Sequence, residues 1–99
     1  MIIDMKRPLL DLHGNRHKKA DGDLGQYLGE ILVNSQGQAV KKFELARKFT
    51  QDGQADVDTE DFEMIKKAVT ENKAYNNLII AQILLAMDNG NGQAGKKEQ

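Results

Sequence analysis

The run Leu24-Gly25-Gln26-Tyr27-Leu28-Gly29-Glu30-Ile31-Leu32-Val33-Asn34 decides the fold class. Leu24, Tyr27, Leu28, Ile31 and Leu32 recur at i, i+3, i+4, i+7 and i+8. On the period of about 3.6 residues these positions form one apolar face, so the segment reads as an amphipathic helix. Asp21 or Asp23 is placed to cap it, and either carboxylate suits the positive helix start. Asn34-Ser35-Gln36-Gly37 stops it. Gly25 and Gly29, four apart, leave room on one side for another element to approach closely.

Toward the C-terminus three more helices follow. Gln38 to Gln51 carries Val40, Phe43, Ala46 and Phe49 along one side with Leu45 near it, and Lys41, Lys42, Arg47 and Lys48 on the rest. Asp52-Gly53 ends it, Gly53 serving as a C-terminal cap. A third helix starts near Asp58 or Thr59 and runs to about Asn72, burying Phe62, Ile65 and Val69 with help from Met64 and Ala68. The fourth, Tyr75 to Met87, is apolar on nearly every side, which predicts a central position or an interface. From Asp88 no large apolar residue remains, and such a segment cannot offset its ordering entropy, so residues 88–99 are expected to form a disordered tail.

Toward the N-terminus the chain reads as extended. Met1 to Met5 holds two β-branched isoleucines, and Pro8 biases Arg7 away from helix. His13-Gly14-Asn15 is a turn, and Arg16 to Lys19 a polar return strand with one wet face. This hairpin is expected to bury Ile3, Leu10 and Leu12 against residues such as Leu28 and Ile83. The fold expected is α+β: a short N-terminal β-hairpin packed on a bundle of about four α-helices, in a single domain over residues 1–87.

Composition removes several classes of function. Ninety-nine residues make one domain, and with no cysteine there is no disulfide scaffold. The longest apolar stretch, Ile79 to Met87, is broken by Gln82 and falls well short of the roughly 20 residues that span a membrane. No charged n-region, apolar h-region and cleavage site open the chain, so no secretory signal is expected. Lys and Arg number 14 against 15 Asp and Glu, a balance that argues against wrapping nucleic acid or coating an acidic membrane. A small, soluble, cytosolic domain is expected.

The motifs that bear on chemistry read as structural. Residues 52–63 hold six carboxylates and no Lys or Arg, as a calcium-binding EF-hand loop would. A loop starting at Asp52 puts Val57 at position 6, where glycine is needed, and Thr59 at position 8, where an apolar residue belongs. A loop starting at Thr50 puts Ala55 at position 6, Asp61 at position 12 and threonine at position 1. Neither register fits the pattern, and Asp58, Glu60 and Asp61 suit a helix N-terminus better. His13 and His17 are four apart, but Gly14-Asn15 places them in a turn with no third ligand nearby. Arg16-His17-Lys18-Lys19 reads as a solvated strand edge. Ser35 is the one serine and lies outside any nucleophile motif. No catalytic, cofactor-binding or metal-ligating residue is assigned, and no enzyme activity is expected.

The order Arg7-Pro8-Leu9-Leu10-Asp11-Leu12-x-Gly14, then Asp23-Leu24-Gly25-x-x-Leu28, resembles small proteins encoded in tailed-phage and prophage genomes. So do Lys42-x-x-x-Ala46-x-Lys48, Val57-Asp58-x-x-Asp61 leading into Ile65-Lys66-Lys67, and Gln82-Ile83-Leu84. The resemblance spans residues 5–87, and tail-assembly chaperones are one small helical class among such proteins. It implies a phage product in the cytoplasm of a bacterial host or associated with the virion, and it transfers no active-site residue. The function expected is protein binding in virion assembly. The alternative is a regulator that binds and inhibits a host enzyme or nucleic-acid complex. The partner is then a phage structural protein or a host protein, with a second copy of the chain as another way to cover apolar surface. Candidate partner-binding residues are Ile79 and Leu85, on the outer side of the apolar fourth helix, and Lys41 and Lys48, at the two ends of a basic run whose charge is segregated from the acidic run 52–63.

Overall fold

The computed structural model describes residues 1–18 and 22–88, with elements β1 (Ile2–Asp4), α1 (Leu24–Asn34), α2 (Ala39–Gln51), β2 (Gln54–Asp56), α3 (Thr59–Glu71) and α4 (Asn77–Asp88). The α+β class and the four helices are as expected. Lys19 of the return strand, Asp21 as a cap, and the tail after Asp88 lie outside the described residues. Asp88, expected in the tail, is the last residue of α4.

The antiparallel pair joins β1 to β2, with Ile3 opposite Ala55. The local return of the chain is present too, reduced to a bridge between Leu10 and Arg16. The choice of β2 over Arg16–Lys18 follows from burial: Ala55 and Val57 join Ile3 in the core, whereas the Arg16 segment offers nothing apolar to bury. Ile3 is fully buried as expected, but Leu10 is partly exposed and Leu12 is 91% exposed. Met5 and Leu9 are buried instead. Ile3 and Leu10 are an odd number of residues apart, so in extended chain they point to opposite faces.

The helix boundaries have identifiable hydrogen-bond causes, some local and one long-range. Asp23 occupies the N-cap of α1 but its side chain accepts no capping bond. The N–H groups of Leu24 and Gly25 instead donate to the carbonyls of Arg7 and Met5, at 2.8 and 3.2 Å. Asp58 caps α3 by accepting from the Asp61 N–H at 2.7 Å. α4 begins two residues later than expected because Asn72 accepts from the N–H groups of Ala74 and Tyr75, holding them in a turn, and Asn76 accepts from Ile79. Gly53 ends α2 with a φ of 74°.

The stripe expected on α2 is corrected. Lys42, Leu45, Ala46 and Phe49 are buried, while Val40 is 77% and Phe43 57% exposed. Steps of three residues drift around the helix, and at about 100° per residue Val40 and Phe49 stand half a turn apart. The buried set keeps the i, i+3, i+4, i+7 spacing instead.

The central helix is α1, not α4. α1 packs on α2, α3 and α4, and the β1–β2 ribbon rests on α2 and α4. α4 buries only Ile83, Ala86 and Met87 fully. Gln82 on α4 clamps the N-terminal segment: its Oε1 accepts from the Leu10 N–H at 2.9 Å and its Nε2 donates to the Leu10 carbonyl at 2.7 Å. The apolar side of α1 faces the core, and its glycine side meets α2. A Cβ on Gly25 would run into the Phe49 carbonyl oxygen, and one on Gly29 would meet the Thr50 hydroxyl and sit 3.2 Å from the Ala46 carbonyl.

Three substitutions test this packing. In a free helix Gly→Ala gains about 1 kcal/mol, whereas overpacking costs about 1–3 kcal/mol. Gly25→Ala, which drives against backbone, is therefore expected to lower the urea midpoint. Gly29→Ala, against a hydroxyl that can rotate, is expected to cost less. Ile83→Asp buries an unpartnered carboxylate at a fully buried position, a loss comparable with the ~5–15 kcal/mol total stability of a domain, and is expected to abolish the cooperative thermal transition.

Candidate functional site

The turn between α1 and α2 and the face of α3 opposite it enclose a groove of about 810 Å³. The turn is held by local hydrogen bonds. Asn34 Nδ2 donates to the Glu30 carbonyl and Ser35 Oγ to the Leu32 carbonyl, satisfying the last turn of α1. Gly37 and Gln38 then both take positive φ, 86° and 52°, and reverse the chain into α2. The α2 N-terminus has no side-chain cap and no acidic residue in its first turn. Lys42, Met64 and Ala68 line the groove, with Gln36 and Gln38 on one side and Glu63 on the other. Lys42 is the one buried charged residue among those described, 7% exposed. Its Nζ donates to the Gln36 carbonyl at 2.7 Å, and no described carboxylate lies within ion-pair distance of it.

From the sequence, Lys42 is expected on the outward, basic side of α2. The signal that could have found it is positional: Lys42 stands at i relative to Leu45, Ala46 and Phe49, so a correctly phased buried face includes its stem.

The four candidate partner-binding residues fall on two helices that both pack on α1. Leu85 is 62% exposed and Ile79 is half-buried; six residues apart, they stand about a third of a turn from each other on α4. Lys41 and Lys48 are exposed on α2, two turns apart. Lys41 is engaged within the molecule: its Nζ pairs with Asp61 of α3 at 2.9 Å, and that hydrogen bond and charge raise its pKa above the ordinary lysine value. Lys48 makes no ion pair among the described residues. Val40 and Phe43 were missed as surface residues, and they lie one turn apart on the outer side of α2.

The acidic run 52–63 is distributed over structural tasks. Asp52 ends α2, Asp56 lies in β2 and pairs with the Met1 ammonium, Asp58 caps α3, and Asp61 holds Lys41. His13 sits in a loop braced by Asp11, whose carboxylate accepts from the N–H groups of His13 and Asn15. Among the described residues no group of three or more His, Cys, Asp or Glu is arranged to hold a metal ion, and no helix is long and apolar enough to cross a membrane. No family model, curated protein or solved structure matches the chain.

Beside the groove, Tyr27 and Tyr75 meet edge to face with ring centroids 5.4 Å apart, and the Tyr75 hydroxyl donates to Glu30 Oε1 at 2.8 Å. Burial, then the hydrogen bond to the Glu30 carboxylate and its charge, push the Tyr75 pKa up to about 12. The folded value lies above the unfolded one of about 10, so the stabilisation is complete below pH ~10 and is lost as pH rises through the folded value. In a Tyr27→Phe background, phenolate absorbance is expected to titrate well above the free-tyrosine value. Adding Glu30→Gln should move the midpoint down only part of the way, because burial is the larger cause.

Proposed function

We propose that the protein acts without catalysis, by binding another protein. The observation that supports this is the outer side of α2, where Val40 and Phe43 are largely exposed and Arg47 stands one turn from Phe43. An aromatic side chain beside an arginine is the composition that interface cores favour. Leu85 adds a second exposed apolar residue on α4. Ser35, the one serine, donates its hydroxyl to the Leu32 backbone carbonyl.

The resemblance of residues 5–87 to small tailed-phage proteins supplies the class of partner. On this reading the chain binds a phage structural protein during virion assembly, in the manner of a tail-assembly chaperone. Inhibition of a host enzyme or nucleic-acid complex is the competing outcome of the same experiment.

Co-expression with phage tail and capsid proteins, followed by pull-down and size exclusion, tests it. A structural protein is expected to co-elute with the parent chain and to be lost from the Val40→Ser/Phe43→Ser double variant, whose substitutions are on the surface and leave the thermal transition in place. Capture of a host polymerase, nuclease or transcription factor instead replaces assembly with regulation. A structural protein held equally by parent and variant shows that the α2 face is not the contact.

A further inference from the structure

We propose that the groove at the α1–α2 turn binds a short extended segment of a partner protein and seats one Asp or Glu carboxylate of that segment on the Lys42 ammonium. This rests on the protein-binding reading and gives the partner its chemistry. The observation that carries it is the state of Lys42. An ammonium has three donors, and here one goes to the Gln36 carbonyl, a neutral acceptor that leaves the charge uncompensated. Lys42 as a residue is 7% exposed, lines the groove, and has no carboxylate within ion-pair distance among the described residues. Charges in such positions are ordinarily paired. Lys42 also lies one turn into α2, where the helix dipole adds positive potential in place of offsetting it.

The surroundings select among anions. Glu60, Glu63 and Glu71 line the groove together with Lys67 and Lys73, so apart from Lys42 the lining has no excess of positive charge. Those three carboxylates repel a multiply charged anion such as phosphate more strongly than a singly charged carboxylate on an uncharged backbone, because the repulsion scales with the anion's charge. The carboxamides of Gln36 and Gln38 offer the paired donor and acceptor that a peptide bond matches, and about 810 Å³ accommodates a few residues.

The test is an NMR titration of the intact chain with a capped pentapeptide carrying one central glutamate, and with its glutamine counterpart. The glutamate peptide is expected to shift the Lys42 side-chain nitrogen and the amides of Gln36, Gln38 and Met64 saturably. The glutamine peptide should bind about tenfold more weakly, since a charge-assisted bond is lost. Lys42→Met, which keeps the stem, should remove the preference, and Lys67→Gln with Lys73→Gln should leave it. A nuclear Overhauser contact between the Lys42 ε-methylene and the glutamate side chain gives the same decision in the parent protein, should Lys42→Met fail to fold. Absence of saturable shifts, equal binding of the two peptides, or a preference that survives Lys42→Met overturns the site. Inorganic phosphate or acetate saturating the same shifts at lower concentration than the peptide overturns the peptide class. A peptide response without capture of any phage structural protein leaves this site standing and removes only the assembly partner. Capture without a peptide response does the reverse.

Discussion

The fold depends on how closely α1 lies to α2. At Gly25 the two helices approach until the Phe49 carbonyl occupies the space a side chain would need, and Gly29 repeats the contact one turn on. This spacing brings the start of α1 beside the end of α2, and the Met5 backbone joins the two. Its N–H donates to the Gly53 carbonyl at 2.7 Å, and its carbonyl accepts from Gly25 at 3.2 Å. One residue therefore links the ribbon to both helices. The close crossing also lets α1 bury both its glycine side and its leucine side, which makes it the axis of the bundle. A surface helix needs only one such face.

The same economy governs the helix ends. The exposed N–H groups that begin an α-helix need acceptors, and the chain supplies them in three ways: backbone carbonyls from the N-terminal segment for α1, an aspartate for α3, an asparagine for α4. The first of these ties a long-range contact to a local need, because α1 is capped only when residues 5–7 are in place. The Gln82 clamp on Leu10 extends the arrangement to α4, standing in for a strand edge where no strand is available. α2, like α1, begins without a side-chain cap, and at its start Lys42 folds back and the chain leaves a groove.

Charge segregation along the sequence is partly cancelled by folding. The basic run on α2 and the acidic run 52–63 meet at Lys41 and Asp61 of α3, so one of the lysines expected to steer a partner joins two helices instead. What remains for recognition is less a charged field than a set of particular places: an apolar, arginine-flanked side of α2, an exposed leucine on α4, and a groove lined by a buried lysine.

Read alone, the amino-acid order determined much of what depends on neighbours three or four residues away. α1 over Leu24–Asn34, the Asp58 cap, the Gly53 stop and the buried stripe Phe62, Ile65 and Val69 are local: periodicity and capping chemistry are written in consecutive residues. Tertiary structure decided what depends on which surface meets which. The partner of β1 is 52 residues away, and no local pattern names it. The choice between α1 and α4 as the central helix turned on glycine contacts that hydrophobicity does not register. The phase of α2 was open to misreading because Val40 and Phe43 are as apolar as the residues it buries; only the position of α1 fixes which side is inward, and that side includes a lysine. The groove could not be read from the chain for the same reason: its lining comes from α1, α2, α3 and the turns after α1 and α3, and a buried charge becomes distinctive only when the surfaces around it are known.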